Sequence, residues 1–123
     1  MKKKVIFINN SVPYFFLHRK KFFKYFKENN FTIFYAFPKN EKHILKNYLV
    51  EDKEITSKKN VLFFNLKRRS MNIFFEIFTL YDLFKIIHIY NPNVVYTTTA
   101  KLGLYLLIIN FFYKKKIIIN FSG

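Results

Sequence analysis

A chain of 123 residues suffices for one domain whose core needs neither disulfides nor metal. The absence of cysteine excludes a disulfide framework, a thiolate nucleophile and a cysteine metal site, and it fits a reducing compartment. The formal charge of +15, from 22 Lys and Arg against 7 Asp and Glu, suits nucleic acid or an anionic membrane as partner. It has a second reading: Lys, Asn, Phe, Ile and Tyr are the residues an AT-rich genome over-produces.

The chain opens as Met1-Lys2-Lys3-Lys4 followed by an apolar run over 5–8. That run is shorter than the ~7–15 residues of a signal-peptide core, so it reads as a buried first strand over 5–9. Asn9-Asn10-Ser11-Val12-Pro13 forms the turn, and 14–28 reads as a helix. At 100° per residue, Phe15, Phe16, Phe22, Phe23, Tyr25 and Phe26 gather on one half of it. Lys20, Lys21, Lys24 and Lys27 gather on the other half, while His18 and Arg19 project from the apolar side. Asn29-Asn30 ends this helix before a second strand over 31–37. A short helix is expected over 41–49, then a polar stretch over 51–60 without clear periodicity, then a third strand over 61–66.

Ser70, after Lys67-Arg68-Arg69, is placed to cap a long helix over 71–90. There Asn72, Glu76, Thr79, Asp82, Lys85 and His88 recur every three or four residues. They predict a narrow wet stripe on a helix otherwise buried against the domain, a partner or lipid. Asn91-Pro92-Asn93 breaks this helix, and a fourth strand over 94–99 ends in Thr97-Thr98-Thr99. A further helix begins near Ala100, and Lys114-Lys115-Lys116 leads into a fifth strand over 117–121, before Ser122-Gly123. The apolar segment 102–113 is shorter than the ~20 residues a membrane span needs, and 71–90 carries four ionisable groups, so no transmembrane helix is expected. No repeat, disordered linker or second domain is visible.

Strands alternating with helices predict an α/β fold: a Rossmann-like parallel sheet of about five strands with flanking helices, as in one lobe of a nucleotide- or sugar-handling enzyme. Ligands of such sheets bind beyond the carboxyl ends of the strands, so those positions are the candidate site. Glycine-rich phosphate loops and His-Glu-x-x-His are absent, and with seven Asp and Glu a paired-carboxylate hydrolase is not expected. His18, His43 and His88 have no metal-site spacing. Three places remain. His18-Arg19 could meet a phosphate or sugar hydroxyl, or could snorkel to water. Thr97-Thr98-Thr99-Ala100-Lys101-x-Gly103 offers hydroxyls, helix-start amides and a cation, though a run of Thr is also ordinary strand composition. Phe121-Ser122-Gly123 permits close backbone approach to a ligand, and is equally common as a plain turn.

Several segments carry a resemblance across nearly the whole chain: Phe15-Phe16-Leu17-His18-Arg19, Arg69-Ser70-Met71-Asn72, Val-x-x-Thr-x-x-Lys-x-Gly within Val94–Gly103, and the terminal Ser122-Gly123. In order and spacing the chain resembles the N-terminal, acceptor-binding domain of family 4 bacterial glycosyltransferases, which have the two-lobed GT-B architecture. The resemblance implies a retaining hexosyl transfer from a nucleotide-sugar to a lipid-linked or polysaccharide acceptor in surface glycan synthesis. No metal or other cofactor is expected, and the location implied is cytoplasmic, peripheral on the inner face of the cell membrane. Carried over by position, the substrate-binding residues are Asn9, Asn10, His18, Arg19, Lys101, Ser122 and Gly123, with no catalytic residue assigned. Many relatives have glycine where Asn9 and Asn10 stand. Residues 1–123 would form a single domain ending before the C-terminal donor-binding domain, which is expected in cis or in trans. The chain by itself is expected to transfer no sugar.

Two alternatives stand beside this reading. One is a basic module binding single-stranded nucleic acid by stacking, which the placement of most aromatics on core faces disfavours. The other is a membrane-associated domain without catalysis.

Overall fold

The computed structural model describes residues 3–13, 15, 20–45, 60–66, 73–97, 100–113 and 116–119. Five strands form one sheet: β1 (Lys4–Ile8), β2 (Thr32–Pro38), β3 (Val61–Phe64), β4 (Val94–Thr97) and β5 (Lys116–Ile119). Their order is β3-β2-β1-β4-β5, and every pair is parallel. Among the described residues three longer helices flank it: α1 (Lys20–Glu28), α2 (Ile73–Tyr90) and α3 (Ala100–Ile109). The expected Rossmann-like α/β sheet is therefore the observed one. Each strand lies within two or three residues of its predicted span.

Side chains alternate across the sheet into two cores. Val5, Phe7, Ile33, Tyr35, Phe37 and Tyr96 pack with Val12, Phe15, Phe26 and Leu45 on one face. Ile6, Ile8, Phe34, Ala36 and Val95 pack with Leu83, Ile87, Leu102 and Leu106 of α2 and α3 on the other. The chain thus covers one face while it runs from β1 to β3, then crosses to β4 and β5 over the opposite face. Phe7 is the aromatic hub of the first core, with ring centroids 5.9 Å from Phe15, 5.6 Å from Phe26 and 5.1 Å from Tyr96.

Helix ends follow local chemistry. The first helical turn opens at Val12, where the Ser11 carbonyl accepts from Phe15 N at 3.2 Å, two residues before the expected start. α1 closes in a Schellman motif: Asn30 is left-handed (φ 60), its N–H donates to the Lys27 carbonyl, and Phe31 N–H donates to the Phe26 carbonyl. The Phe26 and Phe31 rings, 4.9 Å apart, supply the apolar contact that goes with it. α2 ends at Asn91 (φ 46), whose N–H donates to the Ile87 carbonyl at 2.9 Å. Both stops fall at the Asn-containing turns expected from sequence. The short helix expected over 41–49 is described as a 3-10 turn at Lys39–Glu41 and a helical turn at 42–45. The rest of it, the polar stretch from 51 to 59 and the Ser70 cap lie outside the described residues.

Two expectations about helix faces need correction. Tyr25, assigned to the apolar half of the first helix, is 58% exposed while Phe26 is buried. The polar stripe of the long helix does not face water as a whole. Thr79 is buried, Glu76 and Asp82 are half-buried and bonded to neighbouring elements, and Phe74, Ile77, Phe78, Tyr81 and Ile89 are exposed instead. Periodicity locates two faces on a helix, and the partners available to the polar groups decide which one turns inward. Among the described residues no helix is long and apolar enough to cross a membrane.

Candidate functional site at the carboxyl ends of the central strands

The connections leave β1 and β4 toward opposite faces of the sheet, so the crevice between these neighbours is the topological switch point. Ile8 pairs with Thr97 in the ladder, which brings the ends of both strands to one rim. Asn9 follows directly. Its N–H donates to the Ala36 carbonyl of β2 at 3.0 Å, and its Nδ2 donates to the Phe7 carbonyl at 3.2 Å. Asn9 is 1% exposed and Thr97 fully buried, yet Asn9 Oδ1 and Thr97 Oγ1 have no hydrogen-bond partner. A buried polar atom without a partner costs about 1–3 kcal/mol, and these two stand at the ends of neighbouring strands.

At the opposite end of the strands and directly after β3, described polar groups are bonded to one another. At the strand starts, Lys4 N donates to Asn93 Oδ1 at 2.8 Å and Lys4 Nζ to the Tyr90 carbonyl at 3.3 Å. After β3, the N–H and Nδ2 of Asn65 both donate to Asp82 Oδ2 of α2, at 2.8 and 2.7 Å. Lys42 Nζ lies 5.0 Å from the centre of the Phe63 ring. Among the described residues, the unpartnered buried oxygens at the carboxyl ends of the strands are those of Asn9 and Thr97.

α3 starts three residues after β4, and its first-turn amides lie at the same rim, where an anionic or oxygen-rich group is favoured. Lys101 in that turn is half-buried, with Nζ 3.1 Å from Glu76 Oε1 of α2. The ion pair holds the two helix starts together and offsets the cation. Gly103, one turn into α3, is buried.

Of the seven substrate-binding residues expected from sequence, the structure brings Asn9, Asn10 and Lys101 to this rim. Asn10 is half-exposed and engaged in an interaction of its own. His18, Arg19, Ser122 and Gly123 lie outside the described residues. The residue pattern missed Glu76, whose partner Lys101 stands on another helix, and the Asn65–Asp82 clamp. No spacing signal links residues on separate elements, and both acids were absorbed into the helical stripe. Among the described residues no group of three or more His, Asp or Glu could hold a metal ion.

The fold aligns with the crystal structure of a protein described as a UDP-N-acetylglucosamine 2-epimerase from Listeria monocytogenes. The TM-score is 0.65 at 13% identity, over 97% of this chain and 31% of that one. The likeness shows the fold alone. This chain has a Rossmann-like α/β fold and spans about a third of that neighbour's length. No family model matches the chain, and no curated protein matches it either.

Proposed function

We propose that the chain is the acceptor-binding lobe of a glycosyltransferase that moves a sugar from a nucleotide-sugar donor to a lipid-linked or polysaccharide acceptor. The observation that carries this reading is the pair of buried, unpartnered oxygens, Asn9 Oδ1 and Thr97 Oγ1, at the β1/β4 switch point. Both accept hydrogen bonds, and the Thr97 hydroxyl also donates, which suits the hydroxyls of a sugar. The amides opening α3 suit a diphosphate beside it. The GT-B-type fold and the named activity of its structural neighbour support a sugar-nucleotide enzyme. The sequence resemblance to family 4 supports transfer over epimerisation. Donor contacts and the reacting groups would come from a second lobe, so residues 1–123 bind without turning over.

Thr97→Val separates binding from folding, because it keeps the side chain's shape and removes a hydroxyl that bonds to nothing in the protein. Titration of the full chain with UDP-N-acetylglucosamine and with a polyprenyl-diphosphate-linked sugar, followed by amide chemical shifts, is the test. The expected result is binding of the lipid-linked sugar with shifts at Asn9 and Thr97, and an affinity about tenfold lower in Thr97→Val at unchanged or higher unfolding midpoint. Failure of both ligands to bind, or equal affinity in wild type and Thr97→Val, overturns the assignment.

A further inference from the structure

The outer surface of the α2–α3 layer puts large apolar side chains into water. At 100° per residue Phe78 and Tyr81 of α2, 58% and 62% exposed, share a face with the exposed Lys85. Beside them, Leu107 of α3 is 51% exposed, and Phe111 and Phe112 in the turn that follows are 88% and 72% exposed. The helices are joined edge to edge. The Phe84 and Phe112 rings lie 5.9 Å apart, and the Tyr113 hydroxyl hydrogen-bonds His88 Nδ1, so the two exposed faces form one surface. Apolar patches of such extent on a folded domain mark interaction sites.

Charge selects the occupant. The carboxylates of α2 are engaged with neighbouring elements, Glu76 by Lys101 and Asp82 by Asn65, which leaves Lys85 as the exposed charge among the apolar residues. The turn bearing Phe111 and Phe112 runs in sequence into Lys114-Lys115-Lys116, and Lys116 is exposed. Aromatics flanked by cations fit the boundary between headgroups and acyl chains. An anionic leaflet adds roughly 1 kcal/mol for each basic residue near it, whereas a second copy would set one +15 chain against another. Since no described helix can cross a bilayer, the contact lies in the plane of the surface.

We propose that the α2–α3 face is a membrane-docking surface that seats Phe78, Tyr81, Leu107, Phe111 and Phe112 in an anionic leaflet. The basic helix α1 packs on the other side of the sheet and stays in water. The chain has no tryptophan, so Phe112→Trp supplies a lone indole as reporter. Flotation of the full chain is measured with phosphatidylcholine vesicles, with and without phosphatidylglycerol, and with brominated acyl chains for quenching. The proposal expects flotation with the anionic vesicles, a blue-shifted and quenched indole, and binding at least about tenfold weaker in Phe78→Glu and Leu107→Glu. It expects Lys24→Glu on α1 to bind much as wild type does, and circular dichroism melting to show that these exposed variants keep the fold. Absence of flotation overturns it. So does flotation without quenching, loss of binding in Lys24→Glu but not in Phe78→Glu, or a vesicle-free dimer that buries the indole. No sugar nucleotide is present in the assay, so these outcomes leave the β1/β4 site untouched.

Discussion

Among the described residues three buried side-chain oxygens lack hydrogen-bond partners, and their places in the fold differ. Asn9 Oδ1 and Thr97 Oγ1 lie at the carboxyl ends of β1 and β4, while the Tyr105 hydroxyl belongs to the α2–α3 core with Leu102, Leu106 and Ile109. On the proposed function a sugar at the rim would supply partners to the first two, and no ligand is proposed for the third. Tyr105→Phe removes the unpartnered group and keeps the ring, so it should raise stability by about 1 kcal/mol. Denaturant midpoints of the two proteins check this, and a loss of stability would mean the hydroxyl has a partner. Position along the chain was partly readable: Asn9 and Asn10 do stand at the end of β1 and Lys101 in the first turn of α3, as the predicted elements placed them. Glu76 was hidden because its contact with Lys101 spans two helices, and hydrogen bonds between distant elements leave no periodic trace.

At the scale of elements, local signals were strong wherever backbone geometry demands a particular residue. Asn30 and Asn91 both adopt positive φ, a conformation that Asn and Gly tolerate and other residues resist. Asn30→Ala should therefore cost about 1 kcal/mol, while Asn30→Gly should be neutral or stabilising, as thermal melts of the two variants can show. The α2 faces were the failure at this scale. A 3.6-residue pattern divides a helix into a polar and an apolar stripe, but it carries no information on which one meets the sheet. Here Lys101 and Asn65 supplied partners to Glu76 and Asp82, and the broad apolar remainder was shared between the core and the outer surface.

The whole molecule depends on a thin sheet with a core on each face, the one on the α1 side built around the Phe7 ring. Phe7 lies in the middle strand, 1% exposed, and touches rings from three other elements. Phe7→Ala should cost about 3–5 kcal/mol, a large part of the 5–15 kcal/mol typical of a domain. Urea unfolding should show a folded population sharply reduced at room temperature. The sequence by itself determined the strands, the helix stops and the α/β class, because these follow from side-chain period, β-branched and aromatic runs and Asn-rich turns. Only the tertiary structure decided that β1 and β4 are neighbours, that Asn9 and Thr97 stand at the ends of adjacent strands, and that α2 turns part of its apolar surface outward. Those are matters of which surfaces meet, and a linear pattern lists the surfaces without their partners.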